Sequence, residues 1–506
     1  MIFPASASGD SFTRRSSAAL WAPACVILIL SVAAGAGAFA LGQLETRWLV
    51  YALGGGLSLL IVLVAPCKDR LLCAIFVLAL QGDVYFRLSY GRAGSIEGIA
   101  IAFVVVAGGA WLVYRLLAYG PAFLKAYRLS GVARKPLLAI AAITAVSAVV
   151  SNEQFIGFAQ LVFELELLFV YWLIFNFVRS QADLRRILMY MFAIVIIQSL
   201  VMYLQNALGL TFSMTGEVSQ RGEVPRPGGT VSTNPAGFAS FITPAMMIGI
   251  AFFFSKTAAW RPRSAILAAA LGAIAIGLTF TRAAWAGAVL GLIVVSTLLV
   301  RRRLARWNRI CAVAVIVVTM GMVLMPTMMT RLSHDYGAHA QKAAWEERWG
   351  LMRIAFNMIV HNPISGVGPG AYNYTYKEYV PPGLHQWTAA VHNEFLLRAA
   401  ETGLPGMVAF VGLILAGFRI GVRLLASTQD EMAIVGAGWI AALCSLVWQM
   451  SWVPWTGFTY NAMLWFFLGL MDAACRLDAH ACTASGVESS GPSITAASTL
   501  KAFRRR

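Results

Sequence analysis

Charge is what this sequence has least of. Only 12% of its 506 residues are Asp, Glu, Lys or Arg, about half the share a soluble domain carries. So little charge cannot cover several soluble domains. Apolar residues make up 59% and recur from end to end in runs of about 20, each long enough to cross a ~30 Å hydrocarbon core. The length therefore measures a bundle of membrane spans. Chemistry motifs are also sparse. There is no DxD and no HExxH, and no CxxC pair occurs among Cys25, Cys67, Cys73, Cys311, Cys444, Cys475 and Cys482. Metal-dependent, zinc and redox readings are without support, and no cofactor is expected. All seven cysteines fall in predicted spans or on cytoplasmic ends, which suits outer loops that face an oxidising compartment without disulfides. GVGPG (Gly366 to Gly370) fits neither GxGxxG nor a P-loop followed by lysine. A phosphate cradle and a tight turn after the amphipathic stretch Trp345–Val360 are the two readings of it, and the turn is the favoured one. No repeat at a fixed period is visible.

What charge there is leans basic, with 39 Lys and Arg against 22 Asp and Glu and a net charge of +17. On a soluble protein that excess would raise nucleic acid as a partner. On a membrane protein, Lys and Arg crowd the cytoplasmic loops, and no nucleic acid is expected. The chain begins polar, with Arg14 and Arg15, then runs apolar over about 18–41. That is longer than the ~7–15 residues of a signal-peptide core and reads as an uncleaved first span.

Fourteen candidate spans follow: about 18–41, 48–66, 69–86, 96–114, 136–152, 157–178, 187–208, 236–255, 264–280, 284–300, 310–329, 404–423, 431–452 and 457–475. Those at 264–280 and 284–300 are short, so twelve is the competing count. The predicted fold class is an all-α polytopic helical bundle with one long helix-containing outward loop. An inside N-terminus gathers Lys68 and Arg70, Arg115 to Lys135, Arg179, Arg185, Arg186, Lys256, Arg261, Arg263, Arg301 to Arg309, Arg419, Arg423 and the terminal Arg504 to Arg506 in the cytoplasm, as the positive-inside rule requires. Residues 1–17 then form a cytoplasmic N-terminus and 18–208 the N-terminal spans. Residues 209–475 hold two long outward loops, about 209–236 and 330–404. Residues 476–506, rich in Ser, Thr and Ala, form a cytoplasmic tail expected to be disordered.

Five of the six histidines, His334, His339, His361, His385 and His392, lie in the longer loop. Histidine is the usual proton carrier near neutral pH, although a long aqueous loop collects polar residues in any case. His392 stands apart by its setting, HNEFLLRAAETGLPG. The spacing predicts a helix from near His392, with Phe395, Leu396, Ala399 and Ala400 on its apolar face. Gly403 stops it, Pro405 follows, and the next span begins at once. A base there would sit close to the membrane surface. Arg226, in RPGGTVSTNPAGFA, and Arg282, in LTFTRAAWAG, both sit outside at span ends, against the positive-inside trend. An arginine so held can grip a phosphate bidentately or simply snorkel to headgroups. Arg348, Asn393, Arg398 and Glu401 are second-tier candidates, and Arg398 is as well suited to facing solvent or headgroups. Glu346 and Glu347 are adjacent, which makes a weak metal pair. Glu164 and Glu166, in LVFELELLFV, put carboxylates in mid-membrane, where they could mark a proton path.

With these residues in view, the C-terminal half resembles the O-antigen ligase and Wzy-type polymerase superfamily of bacterial envelope glycan enzymes. HNPISGVGPGAY followed by HNEFLLRAAETGLPG is similar to that family's long periplasmic loop. His392 and Asn393, nine intervening residues, then Gly403 and Gly406 match the ligase pattern H-[NSQ]-x9-G-x-x-[GTY]. RPGGTVSTNPAGFA resembles the family's earlier arginine-bearing loop, and LTFTRAAWAG its short TSR-like segment. The resemblance runs from about 187 to 475. One departure is Ala286, where the family's R-x3-L element would place leucine.

The resemblance implies a GT-C-like membrane enzyme in the bacterial inner membrane, N-in and C-in, acting at the periplasmic face without metal. Its donor would be a glycan on undecaprenyl diphosphate. Its acceptor would be a growing glycan, as for a polymerase, or lipid A-core, as for a ligase. His392 would serve as the base, and Arg226 and Arg282 would bind the diphosphate. Membrane lipids and other polysaccharide assembly proteins would be further partners. A transporter or lipid-linked glycan flippase is the competing class, but it should show related halves and a charged central cavity. Here the functional-looking groups concentrate in one outward loop.

Overall fold

The computed structural model describes residues 68–81, 85–87, 100–121, 124, 127, 129–208, 228–231, 235–256, 260, 262–315, 319, 322, 338–383, 390–455 and 457–484. The expected spans at 18–41 and 48–66, most of 310–329 and most of loop 209–236 lie outside them. In lipid a backbone has no water to bond to, so each crossing segment must satisfy its own amides as helix. The order is α1 (Lys68–Ala79), a short antiparallel pair β1 (Tyr85–Arg87) and β2 (Ala100–Ala102), α2 (Phe103–Tyr119), α3 (Arg134–Val150), α4 (Gln154–Phe177), α5 (Gln181–Leu208), α6 (Pro235–Phe254), α7 (Arg263–Leu278), α8 (Arg282–Arg301), α9 (Ala338–His361), α10 (Tyr372–Thr375), α11 (Glu394–Leu425), α12 (Asp430–Met450) and α13 (Phe458–Ala484). The chain is an all-α polytopic membrane protein. Among the described residues α4, α5, α6, α8, α11 and α12 are long and apolar enough to cross a membrane, while α2 and α7 are shorter apolar helices.

Three boundaries differ from the sequence reading. The expected span at 69–86 yields a helix of only 12 residues, about 18 Å at ~1.5 Å per residue. Helix α2 starts at Phe103 rather than 96 and runs on to Tyr119. The tail expected to be disordered from 476 continues as helix to Ala484, because Arg476 is anchored: its guanidinium donates to the carbonyls of Phe175 (2.8 Å) and Val178 (2.6 Å) at the end of α4.

Helices α6 and α12 form the centre, with 89% and 78% of their most apolar stretches buried, against 28% for α8 at the rim. A buried polar knot joins the two central helices. Ser240 Oγ donates to Gln449 Oε1 (3.0 Å), and Gln449 Nε2 reaches Ser445 Oγ (3.2 Å). Such bonds link helices where lipid offers no polar alternative. Helix α8 lies on α12 through Gly287 and Gly291. A Cβ there would meet the carbonyl oxygens of Ser445 and Ala441 at 2.9 and 3.1 Å. This antiparallel register carries the start of α8, Arg282, to the level of the C-terminal end of α12.

The other end of the bundle is basic. Arg115 forks onto Asp69 with two bonds of 2.8 Å. Arg185 pairs with Glu431 at the start of α12. Arg309 caps the end of α6 by donating to the Phe253 carbonyl (2.7 Å), as cations near helix C-termini do.

Candidate functional site

The long loop has a core of its own. One face of α9 (Leu351, Ile354, Ala355, Met358 and Ile359) packs with Val367, Ala371 and Tyr372 on Leu397, Ala399 and Ala400 of α11. Burial pushes the Tyr372 phenol up from its ordinary value, and its hydroxyl donates to the Leu351 carbonyl (3.2 Å).

The GVGPG segment is the joint between loop and bundle. Ser147 of α3 donates to the Ser365 carbonyl (2.5 Å) and Ser151 to the Val367 carbonyl (3.2 Å). The amides of Val367 and Gly368 donate to the carbonyls of Ala400 and Glu401 at 2.9 and 3.0 Å. The amides of Gly366, Val367 and Gly368 that a phosphate cradle would offer are therefore bonded to the carbonyls of Asn362, Ala400 and Glu401, and the segment serves as a turn.

Two glycines make this joint possible. A Cβ on Gly366 would meet the Glu401 carbonyl at 2.3 Å, and one on Gly403 the Ile364 carbonyl oxygen at 2.2 Å. Gly403 also sits at φ 73°, breaking α11 where the sequence placed a stop, after which the helix resumes through Pro405. Gly403→Ala combines a left-handed backbone cost of about 1–2 kcal/mol with that clash. We expect a lower melting temperature in detergent, and an unchanged one would contradict the joint.

Above this joint stands the His392 turn. Helix α11 begins at Glu394, two residues later than His392. Asn393 is its N-cap, accepting the Leu396 amide at 3.0 Å through its side chain. The Asn393 amide group also donates to the Ser451 carbonyl (3.3 Å), just past the end of α12. Glu394 adds a second tie, its Oε2 accepting the Trp455 amide at 2.7 Å. His392, half-buried, is thus held on a backbone pinned to the α12–α13 connection.

Arg398 does not face solvent or headgroups, which corrects the sequence expectation. It is buried, with Nε on Glu394 Oε1 (2.8 Å) and Nη1 on Glu164 Oε1 of α4. The reason is spacing: Glu394 and Arg398 are one helical turn apart, and α4 brings a carboxylate to the same point. Glu164 Oε2 has no hydrogen-bond partner among the described residues, and Glu164 Oε1 pairs with Arg398. Glu164 is engaged as a counter-ion, and Glu166 separately accepts the Ala102 amide (3.2 Å). Their neighbouring positions do not make a continuous carboxylate path.

Arg282 is the exposed first residue of α8, at the bundle end where Asn393 meets Ser451. Arg226 lies outside the described residues, but the chain that follows it is firmly seated. The Gly229 amide donates to Gln205 Oε1 (2.9 Å), the Thr230 amide to Gln198 Oε1 (3.0 Å), and Gln198 Nε2 to Thr230 Oγ1 (2.7 Å). Both glutamines are buried on α5. Helix α6 then starts at Pro235 and meets Gln449 through Ser240 five residues on. Arg348 is half-buried on α9, one turn after Trp345, whose ring meets Trp452 edge-on at 6.4 Å. The starts of α6, α8 and α11 thus converge on the end of α12. His361 is exposed and bonded to the Asn357 carbonyl (2.8 Å). His334 and His385 lie outside the described residues.

Residues 267–411 match a family model described as O-antigen ligase. Over this stretch the chain is similar to the O-antigen ligase family. The matched stretch takes in most of α7, all of α8 with Arg282, the long loop, His392 and the start of α11. It is narrower than the region of resemblance in the sequence, and Arg226 and Glu164 lie outside it. No curated protein matches the chain. Sequence reasoning missed the glutamines that seat the segment after Arg226, and Glu394. The Glu394–Arg398 spacing was a readable signal for the latter, whereas nothing in the sequence paired Glu164 with Arg398.

Proposed function

We propose that this protein moves a glycan from undecaprenyl diphosphate to an acceptor sugar hydroxyl at the periplasmic face of the bacterial inner membrane. The supporting observation is that one family match covers both His392 and Arg282, which come from separate elements at one end of the bundle. His392 takes the proton of the acceptor hydroxyl as its oxygen bonds to the anomeric carbon. The bond from that carbon to the diphosphate oxygen breaks on the opposite side, with inversion, and its electron pair leaves with the diphosphate. Arg282 and Arg226 stabilise the charge that develops there. A diphosphate is already a good leaving group, so one base and two cations form a sufficient set without a metal. Asn393 and Glu401 act as supports, and Arg348 is a further candidate for substrate contact.

The acceptor is a growing polysaccharide or lipid A-core. A deletion strain separates them, by loss of a secreted or surface polymer in the first case and rough lipopolysaccharide in the second. Arg282→Lys keeps the charge but loses the bidentate fork. We expect transfer from the lipid-linked donor to fall by on the order of a hundredfold at unchanged protein abundance. Wild-type rates would assign Arg282 to headgroup contact instead.

A further inference from the structure

Helix α9 has two apolar faces, and the fold uses one. On the other side Trp345, Trp349, Phe356 and Val360 fall within about 60° of the helix circumference at ~100° per residue. They are 49–61% exposed. Soluble surfaces rarely leave so contiguous a large-side-chain patch open to water.

Two further observations say what covers it. The patch is continuous with the lipid-facing row of a membrane-spanning helix. Ile364, 78% exposed, follows α9, and its backbone rests on Gly403 while the Leu404 amide donates to the Pro363 carbonyl (2.8 Å). It therefore heads the exposed stripe Leu404, Val408 and Leu415 of α11. The second observation is a tryptophan cluster. Trp345 meets Trp452 edge-on (6.4 Å), and Trp452 lies 6.0 Å from Trp448 at the end of α12. Tryptophans gather at the level of lipid headgroups. Arg353, exposed at the stripe's edge, has the long stem needed to lie along acyl chains with its head in water.

We propose that α9 is an interfacial helix whose Trp349, Phe356 and Val360 are sunk in the acyl chains of the leaflet on the His392 side. The occupant of the face is bilayer lipid. The site then opens sideways at headgroup depth, where a lipid-linked substrate carries its phosphates. Exposure and continuity alone place this face in lipid, whatever reaction the site performs.

The test is photocrosslinking of the full-length protein with benzoylphenylalanine at Trp349, Phe356 or Val360. The protein is reconstituted in vesicles of phosphatidylethanolamine and phosphatidylglycerol carrying radiolabelled acyl chains. Each position is on the surface, so both cores stay intact. Lipid label is expected at all three, comparable to Val408 and above exposed Lys377. Label at Val408 without label on α9, or a crosslink to a second protein chain, overturns the proposal. Hydroxyl-radical footprinting of the unmodified protein in the same vesicles supplies a second reading. Trp349 and Phe356 should be protected, and oxidation at the rate of the half-exposed Tyr379 would contradict burial in lipid.

Discussion

Exchange of His392 for alanine is expected to lower glycan transfer by about 10²–10⁴-fold, the span that one positioned acid or base supplies, while the protein remains inserted and abundant. The second half of that expectation follows from where His392 sits. It precedes the α11 cap and is only half-buried. The backbone around it is held by Asn393 and Glu394, through Ser451 and Trp455. Removing the imidazole should therefore leave the turn standing. Transfer assayed in membranes, normalised to protein detected by blot, separates the two effects. Full activity at normal abundance would remove His392 from the chemistry. Loss of the protein itself would mean that the side chain is structural.

The second large effect concerns stability. Arg398→Leu leaves Glu164 and Glu394 buried with no cation between them. Breaking a buried ion pair by removing one partner costs roughly 3–5 kcal/mol, a large part of a typical folding margin. A steep fall in melting temperature and in the monodisperse fraction after extraction is expected. Combining Arg398→Leu with Glu164→Leu removes one orphaned anion and should recover part of the loss, since an apolar replacement of a buried pair is often close to neutral. A single variant as stable as wild type would mean that Arg398 is not the counter-ion of this cluster. An equally stable protein with reduced transfer would instead move Arg398 into the substrate site.

Hydrophobic runs made the membrane bundle legible, because a span must be both long and apolar and has few ways to hide. The stop at Gly403 was also readable, from a glycine followed by Pro405. The His392 setting was readable as a helix entrance near the next span. What was not readable depended on contacts between distant segments. Glu164 and Arg398 are 234 positions apart, and neither carries a mark of the other, so Arg398 stayed open between a site residue and a surface one. The same holds for Gln198 and Gln205, ordinary polar residues in an apolar run until the backbone of Gly229 and Thr230 comes to rest on them. The role of the GVGPG segment is similar. Its glycines suggested either a cradle or a turn, and only the distant carbonyls of Ala400 and Glu401 on its amides decide between them.

The central claim is that a new glycosidic bond forms at the His392 end of the bundle from a lipid-diphosphate donor. The most direct measurement uses the purified protein in vesicles with undecaprenyl-diphosphate-linked glycan and a candidate acceptor. The readouts are the linked or lengthened product and the released undecaprenyl diphosphate. Both are expected in equal amounts, and neither with His392→Ala. Movement of intact donor across the bilayer with no new bond and no released diphosphate would contradict that claim and identify a flippase.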